Sequence, residues 1–286
     1  MQKIEKTIKR KAQEGKKLIP NIKNIVLVAS GKGGVGKSTV TSNLAVTFAK
    51  MGAKVGILDA DIYGPSQPTL LDLKDNPETT DKKKIIPLER YGVKMISIGN
   101  LIDPNSAVIW RGPIVSRALM QLLNDTNWGN LDYLFLDLPP GTGDIQLTIS
   151  KNMPVTGAVI VTTPQDLSLI DARRAVAMFD KVGIKNLGII ENMSYYICPK
   201  CGHSDHIFGE DGAHLLCGKQ DIEFLGNLPL HKDIRENADH GKPYVSLAKD
   251  DNINTSYESV AENLLNEIEK LPKASGLDSI GVKLED

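Results

Sequence analysis

The chain has 286 residues, with 34 Lys and Arg against 35 Asp and Glu and a formal charge of −1. That length suits one α/β domain with extensions, and the near-zero charge argues against a general polyanion binder, so no nucleic-acid partner is expected. No apolar run approaches the ~18–20 residues of a bilayer span, no signal-peptide stretch is evident, and three cysteines, two of them in C-x-x-C spacing, form no secreted disulfide framework; no membrane partner is expected, and the expected compartment is the cytoplasm.

Residues 1–20 are lysine-rich, with Ile4, Ile8 and Ala12 spaced as a weak amphipathic helix; a leader helix is expected there, ended by Pro20 and Asn21. The main domain is placed at 21–271. Ile25 to Ala29 reads as a buried strand, and Gly31 to Ser38 fits G-x-x-x-x-G-K-[ST], the phosphate-binding loop. A helix is expected from Thr39 to Met51, with Val40, Leu44 and Phe48 on one face and Gly52 ending it. Gly31, Gly33, Gly34 and Gly36 allow the backbone amides, Val35 included, to point inward at phosphate oxygens. The following helix, starting near Thr39, points its positive end at the same place. Lys37 supplies charge for the β- and γ-phosphates, and the Ser38 hydroxyl suits Mg²⁺. Lys32 is a second lysine, read either as a nucleotide contact or as a solvated loop-tip residue.

Lys54 to Asp61 is a short apolar strand ending in D-x-D. In an open parallel sheet, ligands sit beyond the carboxyl ends of strands, so Asp59 and Asp61 face the phosphates there, where an aspartate can hold a Mg²⁺-bound water or orient an attacking one. Residues 62–68 form a segment expected to move with the γ-phosphate. Residues 71–89 read as an exposed insertion, 93–98 as a strand, and a helix comes after Trp110-Arg111-Gly112-Pro113 and runs to about Asn124. Tyr133 to Asp137 is a buried strand ending in a second metal-side carboxylate, Asp137. In the run Pro139 to Asp144, the Gly141 amide can contact a γ-phosphate, and Asp144 can cap the next helix. Strands are expected at 156–162 and 187–191, with a helix at 168–182 between them. Asn192 ends the later strand, where its amide can read an adenine edge. No guanine-reading Asn-Lys-x-Asp is present, which favours ATP over GTP.

Cys198-Pro199-Lys200-Cys201 can place both thiolates on one metal or cluster. Alone it also fits half a zinc site, with His203 and His206 as poorly spaced candidates, or a redox dithiol. A 4Fe–4S cluster takes four cysteines, which two chains with two each would supply. Cys217 reads as a small buried hydrophobe. A strand at 222–228, helices at 231–238 and 255–271, the latter with Val260, Leu264 and Ile268 in a stripe, and a frayed tail at 272–286 complete the expected three-layer α/β fold with a mostly parallel sheet.

Lys32 to Ser38 resembles the K-G-G-x-G-K-[ST] loop of the deviant-loop ATPases, which include partition and division-site ATPases. The runs Val108 to Pro113, Leu136 to Asp144, Glu191 to Ser194, Cys198 to Gly202 and Phe224 to Leu230 narrow the resemblance to the Mrp/ApbC-type iron–sulfur cluster carrier ATPases, over about residues 22–250. The resemblance implies a slow ATP hydrolase that works as a homodimer. It implies ATP, Mg²⁺ and a 4Fe–4S cluster bridging two C-x-x-C motifs, with a cluster scaffold or donor upstream and apo iron–sulfur proteins as recipients. It also implies roles: Lys32 reaches the partner's nucleotide, Asp61 orients the hydrolytic water, Asp59 lies near the metal and Asn192 contacts the base. The rival expectation is a partition-type ATPase with a structural zinc at C-x-x-C.

Overall fold

The computed structural model describes residues 3–4, 7–12, 19–81, 84–101, 112–198, 200–249 and 251–274. Its first strand, β1 (Ile22–Ala29), enters the glycine loop, and α1 (Lys37–Lys50) leaves it. Next come β2 (Val55–Asp59), a one-turn α2 (Gln67–Leu70), β3 (Leu88–Arg90) and β4 (Val93–Ser97). After them lie α3 (Gly112–Asp125), β5 (Leu131–Asp137), α4 (Asp144–Asn152), β6 (Gly157–Thr162) and α5 (Asp166–Lys181). The chain continues through β7 (Asn186–Ile197), β8 (Ser204–Asp205), α6 (Gly212–Gln220), β9 (Phe224–Leu230), α7 (Lys232–Asp239) and α8 (Asn252–Lys270).

The sheet order is β3-β4-β2-β5-β1-β6-β7-β8, with β9 also paired to β7. All pairings are parallel except β3 with β4 and β7 with β8. Strand alternation divides the core in two. Ile25 and Leu27 of β1, with Leu134 and Leu136 of β5, face the layer of α3, α4, α5 and α6. Val26 and Val28, with Tyr133 and Phe135, face the layer of α1 and α8. Near-continuous apolar strands are what a parallel sheet covered on both faces requires. The stripes Val40, Leu44, Phe48 and Val260, Leu264, Ile268 lie in the second layer, as their spacing implies. The three-layer, mostly parallel architecture is therefore the expected one.

Several boundaries move. The described residues before β1 form no helix: Arg10 instead bridges Lys273, Lys11 N donates to Pro272 O at 2.8 Å and Ala274 N to Lys9 O at 3.1 Å. Residues 7–12 thus include a paired segment and no helix, residues 272–274 are held by it rather than frayed, and 1–2, 5–6, 13–18 and 275–286 lie outside the described residues. The insertion at 71–89 is not wholly exposed. Leu71 and Leu73 are buried, and Asn100 Nδ2 donates to Leu73 O and Asp75 O. Asn192 does not end its strand, because β7 runs on to Ile197. The helix before Asn152 is capped by Gly143, not Asp144. Trp110 and Arg111 lie outside the described residues.

Phe48 is fully buried and meets Tyr133 and Phe135 edge-on, with centroids 4.9 and 5.3 Å away. Phe48→Ala is expected to cost about 3–5 kcal/mol through lost contacts and a residual cavity, read as a lower urea midpoint at unchanged slope.

Candidate functional site

Parallel register brings two carboxylates together. Asp59 on β2 lies opposite Asp137 on β5, and Asp137 lies opposite Val28 on β1, just before the loop. Both aspartates are fully buried at the carboxyl ends of their strands. Lys37 pairs with Asp137 Oδ1, and Lys37 Nζ donates to Ser38 Oγ at 3.2 Å. Thr41 Oγ1 also reaches Asp137 Oδ1, at 3.3 Å. Asp59 accepts from the backbone N–H of Asp61 at 3.2 Å and from Ser97 Oγ at 3.0 Å.

Gln67 joins these parts, and the sequence alone assigns it no role beyond its place in the segment 62–68. Its backbone N–H donates to Asp59 Oδ2 at 3.2 Å; its side-chain Nε2 donates to Asp137 Oδ2 at 2.8 Å and to Ser38 O at 3.0 Å. One residue therefore spans both carboxylates and the start of α1. The only signal in the sequence is an amide inside a Gly-, Pro- and Ser-rich run. Burial, then the Asp137 charge, push the Asp59 carboxyl up to about 7. Burial also raises Asp61, which lines the phosphate cavity and accepts from Gly64 N at 3.2 Å.

The glycine loop wraps a cavity of about 310 Å³ lined by Gly33, Gly34, Val35, Gly36, Lys37, Ser38, Thr39 and Asp61. Gly36 has φ +79°, and a Cβ there would lie 2.3 Å from Asn192 Nδ2. Asn192 Nδ2 donates to Val35 O at 2.9 Å, so the strand after α5 touches the loop. At Gly31 a Cβ would meet the Asp171 backbone of α5 at 2.2 Å. A second cavity, of about 480 Å³, shares Gly36, Thr39, Ser66 and Leu70 with the first and adds Asn192, Leu230, His231 and Arg235. Through these shared residues the cavity at the phosphate loop is continuous with the second one. Lys32 is half-buried and its carbonyl accepts from Ser30 Oγ. The Gly141 N–H donates to Ser30 O at 2.9 Å, so in this conformation it is committed to the loop's own backbone.

The residues fit ATP with Mg²⁺. Nothing lies within 4 Å of a Cβ built on Gly34, which leaves the cradle open, and Gln67 Oε1 is buried with no hydrogen-bond partner among the described residues. Ser38, Asp59 and Asp137 offer the hard oxygen ligands and water acceptors that Mg²⁺ prefers. Lys37 now neutralises Asp137 and is the cation within reach of the phosphate cradle.

The cysteines sit at the far end of β7. Tyr196 pairs with Asp205 and Ile197 with Ser204, and Cys198 N donates to His203 O at 2.9 Å. Gly202 N closes the turn on Cys198 O at 2.9 Å. Cys198 and Cys201 thus occupy a hairpin tip, the first half-buried and the second exposed. The N–H groups of Lys200 and Cys201, then the Cys201 thiol, hold the Cys198 thiol below the ordinary range. No group of three or more His, Cys, Asp or Glu able to hold a metal occurs among the described residues. His206 turns Nδ1 to Ser194 O at 3.1 Å. Cys217 is in the core, as expected, and burial, Glu223 and Glu191 push it up to about 12.

This geometry fixes two expected outcomes. Gln67→Ala removes the amide that orients Asp137 and Ser38, and should weaken Mg²⁺-dependent turnover about 10–100-fold, checked by Mg²⁺ titration at saturating ATP. Iodoacetamide should modify Cys198 with a rate that rises below the ordinary thiol pKa of about 8.5. Cys217 should stay unmodified until the chain is unfolded, a difference that peptide mapping across pH would resolve.

Comparison with known proteins identifies the family of the chain. The ParA profile, described as NUBPL iron-transfer P-loop NTPase, matches residues 21–265. An iron-sulfur cluster carrier protein of Pseudomonas fragi is 55% identical over 227 residues, 79% of each chain. One of Escherichia coli K12 is 51% identical over 260 residues, 90% of this chain and 70% of that one. A nucleotide-binding protein of Archaeoglobus fulgidus, solved with ADP, superposes with TM-score 0.71 at 41% identity, over 81% of this chain and 90% of that one. The cell-division ATPase MinD of Pyrococcus furiosus shares the fold at TM-score 0.64 and 23% identity, over 85% and 98%. With its loop, paired aspartates and hairpin cysteines in place, the chain belongs to the ParA-type NUBPL iron-transfer family of P-loop NTPases.

Proposed function

We propose that this protein is an ATP-dependent iron–sulfur cluster carrier. It acts as a homodimer in the cytoplasm, receives a 4Fe–4S cluster from a donor or scaffold, and passes it to apo iron–sulfur proteins. The observation that carries this reading is the placement of Cys198 and Cys201. They project from the end of β7, the strand that touches the phosphate loop through Asn192, and the described residues around them complete no metal site. Two thiolates per chain are half of what a 4Fe–4S cluster takes, so two copies supply the set.

In this reading the cluster is cargo and ATP is the control. When bound, Mg²⁺ supplies positive charge against the β- and γ-phosphates. Lys37, paired with Asp137 here, would turn to the phosphates, and Ser38, Asp59 and Asp137 would hold the metal and its waters. Asp61, with its proton affinity raised by burial, orients the attacking water and takes up its proton. The two cavities receive phosphates and adenine, with Asn192 at the base. Lys32 extends to the partner's nucleotide, which makes ATP binding and dimer arrangement one equilibrium. Gln67 holds Asp137 and Ser38 O through its Nε2, which fixes the position of the groups around the metal.

Anaerobic reconstitution with iron and sulfide tests the reading. About four irons per dimer are expected, lost in Cys198→Ala/Cys201→Ala, with the dimer followed by mass. Zinc retained at one per chain with no cluster formed would overturn it in favour of a partition-type ATPase with a structural zinc. Lys37→Ala should load cluster chemically as wild type does and fail to deliver it to an apo-protein.

A further inference from the structure

We propose that Glu191 is a positioning residue that ties the cysteine hairpin to the nucleotide pocket. The inference rests on reading Cys198 and Cys201 as the cargo site, and it adds how nucleotide state reaches them.

Glu191 is a carboxylate at 1% exposure in the sheet, and no salt bridge to it occurs among the described residues. A buried charge of this kind needs hydrogen bonds to persist. Both of its oxygens are used, and they bond to the two ends of one excursion. Oε1 accepts from Ser194 Oγ at 2.6 Å, where the chain leaves for the hairpin. Oε2 accepts from the backbone N–H of Ala213 at 2.7 Å, in the first turn of α6, where the chain returns. The whole cysteine-bearing excursion, 194–213, is therefore closed at its root by a single carboxylate. His206 Nδ1 against Ser194 O, at 3.1 Å, braces the same root from inside.

Between Glu191 and Ser194 the strand is irregular. Met193 has φ +56°, in the left-handed region that a bulky side chain avoids. The β7–β9 register slips between Glu191 opposite Asn227 and Tyr195 opposite Pro229. A slip of this kind bends a strand and re-aims the residues beyond it. Asn192, inside the irregular stretch, holds the phosphate loop at Val35 O and lines the base cavity with Met193. In the proposed reading nucleotide is met inside the bend, at Asn192, and the Glu191 clamp crosses that bend. A shift at Asn192 is passed to Ser194 and the hairpin because Glu191 holds the start, the end and the return of the stretch as one body. Beyond Met193 the strand is held to β9 at Tyr195 and Tyr196, and the clamp adds the tie that binds the returning end of the excursion, at α6, to the same strand.

The test uses the apo protein, so it needs no cluster. The rate of Cys198 and Cys201 alkylation by iodoacetamide is measured with Mg-ADP and with a non-hydrolysable Mg-ATP analogue. For wild type the two rates should differ about fivefold or more, the scale of coupling between linked sites. Glu191→Ala should bring the ratio to one. Glu191→Gln should restore it, because Oε1 can still accept from Ala213 N and Nε2 can donate to Ser194 Oγ. Ser194→Ala removes only the outgoing bond and should lower the ratio; it decides the matter if Glu191→Ala does not fold. The proposal is overturned if the wild-type rates are equal, or if the alanine variants keep the wild-type ratio. Equal rates alongside a normal cluster on reconstitution would leave the carrier reading intact, and an intact ratio with no cluster would do the reverse.

Discussion

Two buried carboxylates one strand apart are the constraint around which this molecule is built. Asp59 and Asp137 sit side by side at the ends of β2 and β5, in a place where water cannot screen them. Burial and the neighbouring Asp137 charge raise the proton affinity of Asp59, and such a pair costs stability unless cations and donors surround it. The surrounding groups are Lys37, Thr41, Ser97 and Gln67, drawn from the loop helix, the neighbouring strand and the segment after Asp61. That arrangement is a stored demand for positive charge. A fold selected for stability alone would place apolar side chains there. Keeping the carboxylates leaves a site whose charge balance changes when phosphate and metal arrive, and Lys37, now spent on Asp137, is the group that can move.

The demand at the sheet's centre is linked to the cysteines by β7. It is longer than the strands beside it because its last residues leave the parallel sheet and pair with β8 in a hairpin. Its first half is fully buried and belongs to the core; its last residues are only partly buried and carry the thiols outward. One strand thus touches the phosphate loop in its middle, at Asn192, and carries the two cysteines at the hairpin beyond its end. A rigid strand would transmit any displacement. This one is bent between the two, so transmission depends on what braces the bend. The pairing of Tyr195 and Tyr196 with β9 keeps the root of the hairpin in the sheet, and the Glu191 hydrogen bonds tie its outgoing and returning ends together.

Much of this is legible in the sequence. The glycine loop can be read because every fixed position does a local job: a sharp turn, inward amides, a charge and a hydroxyl within one short run. The alternation in β1 and β5 and the stripes of α1 and α8 are legible because burial on both faces of a sheet leaves a period in the residues. The C-x-x-C is legible as a metal motif, yet the two residues alone leave zinc, redox and cluster chemistry open. Among the described residues of the expected leader, none is helical: the apolar spacing is weak, and Arg10 pairs instead with Lys273. Asn192 has the expected neighbourhood but not the expected place in its strand, since nothing local marks a strand that continues past its buried half.

The sequence by itself determined the phosphate loop, the two aspartate-terminated strands, the three-layer architecture and the presence of a two-thiol motif. These arise from short-range geometry and from hydrophobic period, both written in consecutive residues. Only the tertiary structure decided that Gln67 spans both aspartates, that Gly141 is bonded to Ser30, and that Glu191 closes the cysteine excursion at both ends. Each of these is a hydrogen bond between groups that strand register and crossover connections bring together. A polar side chain's partner is set by where the sheet puts it, and no periodicity in the chain records that.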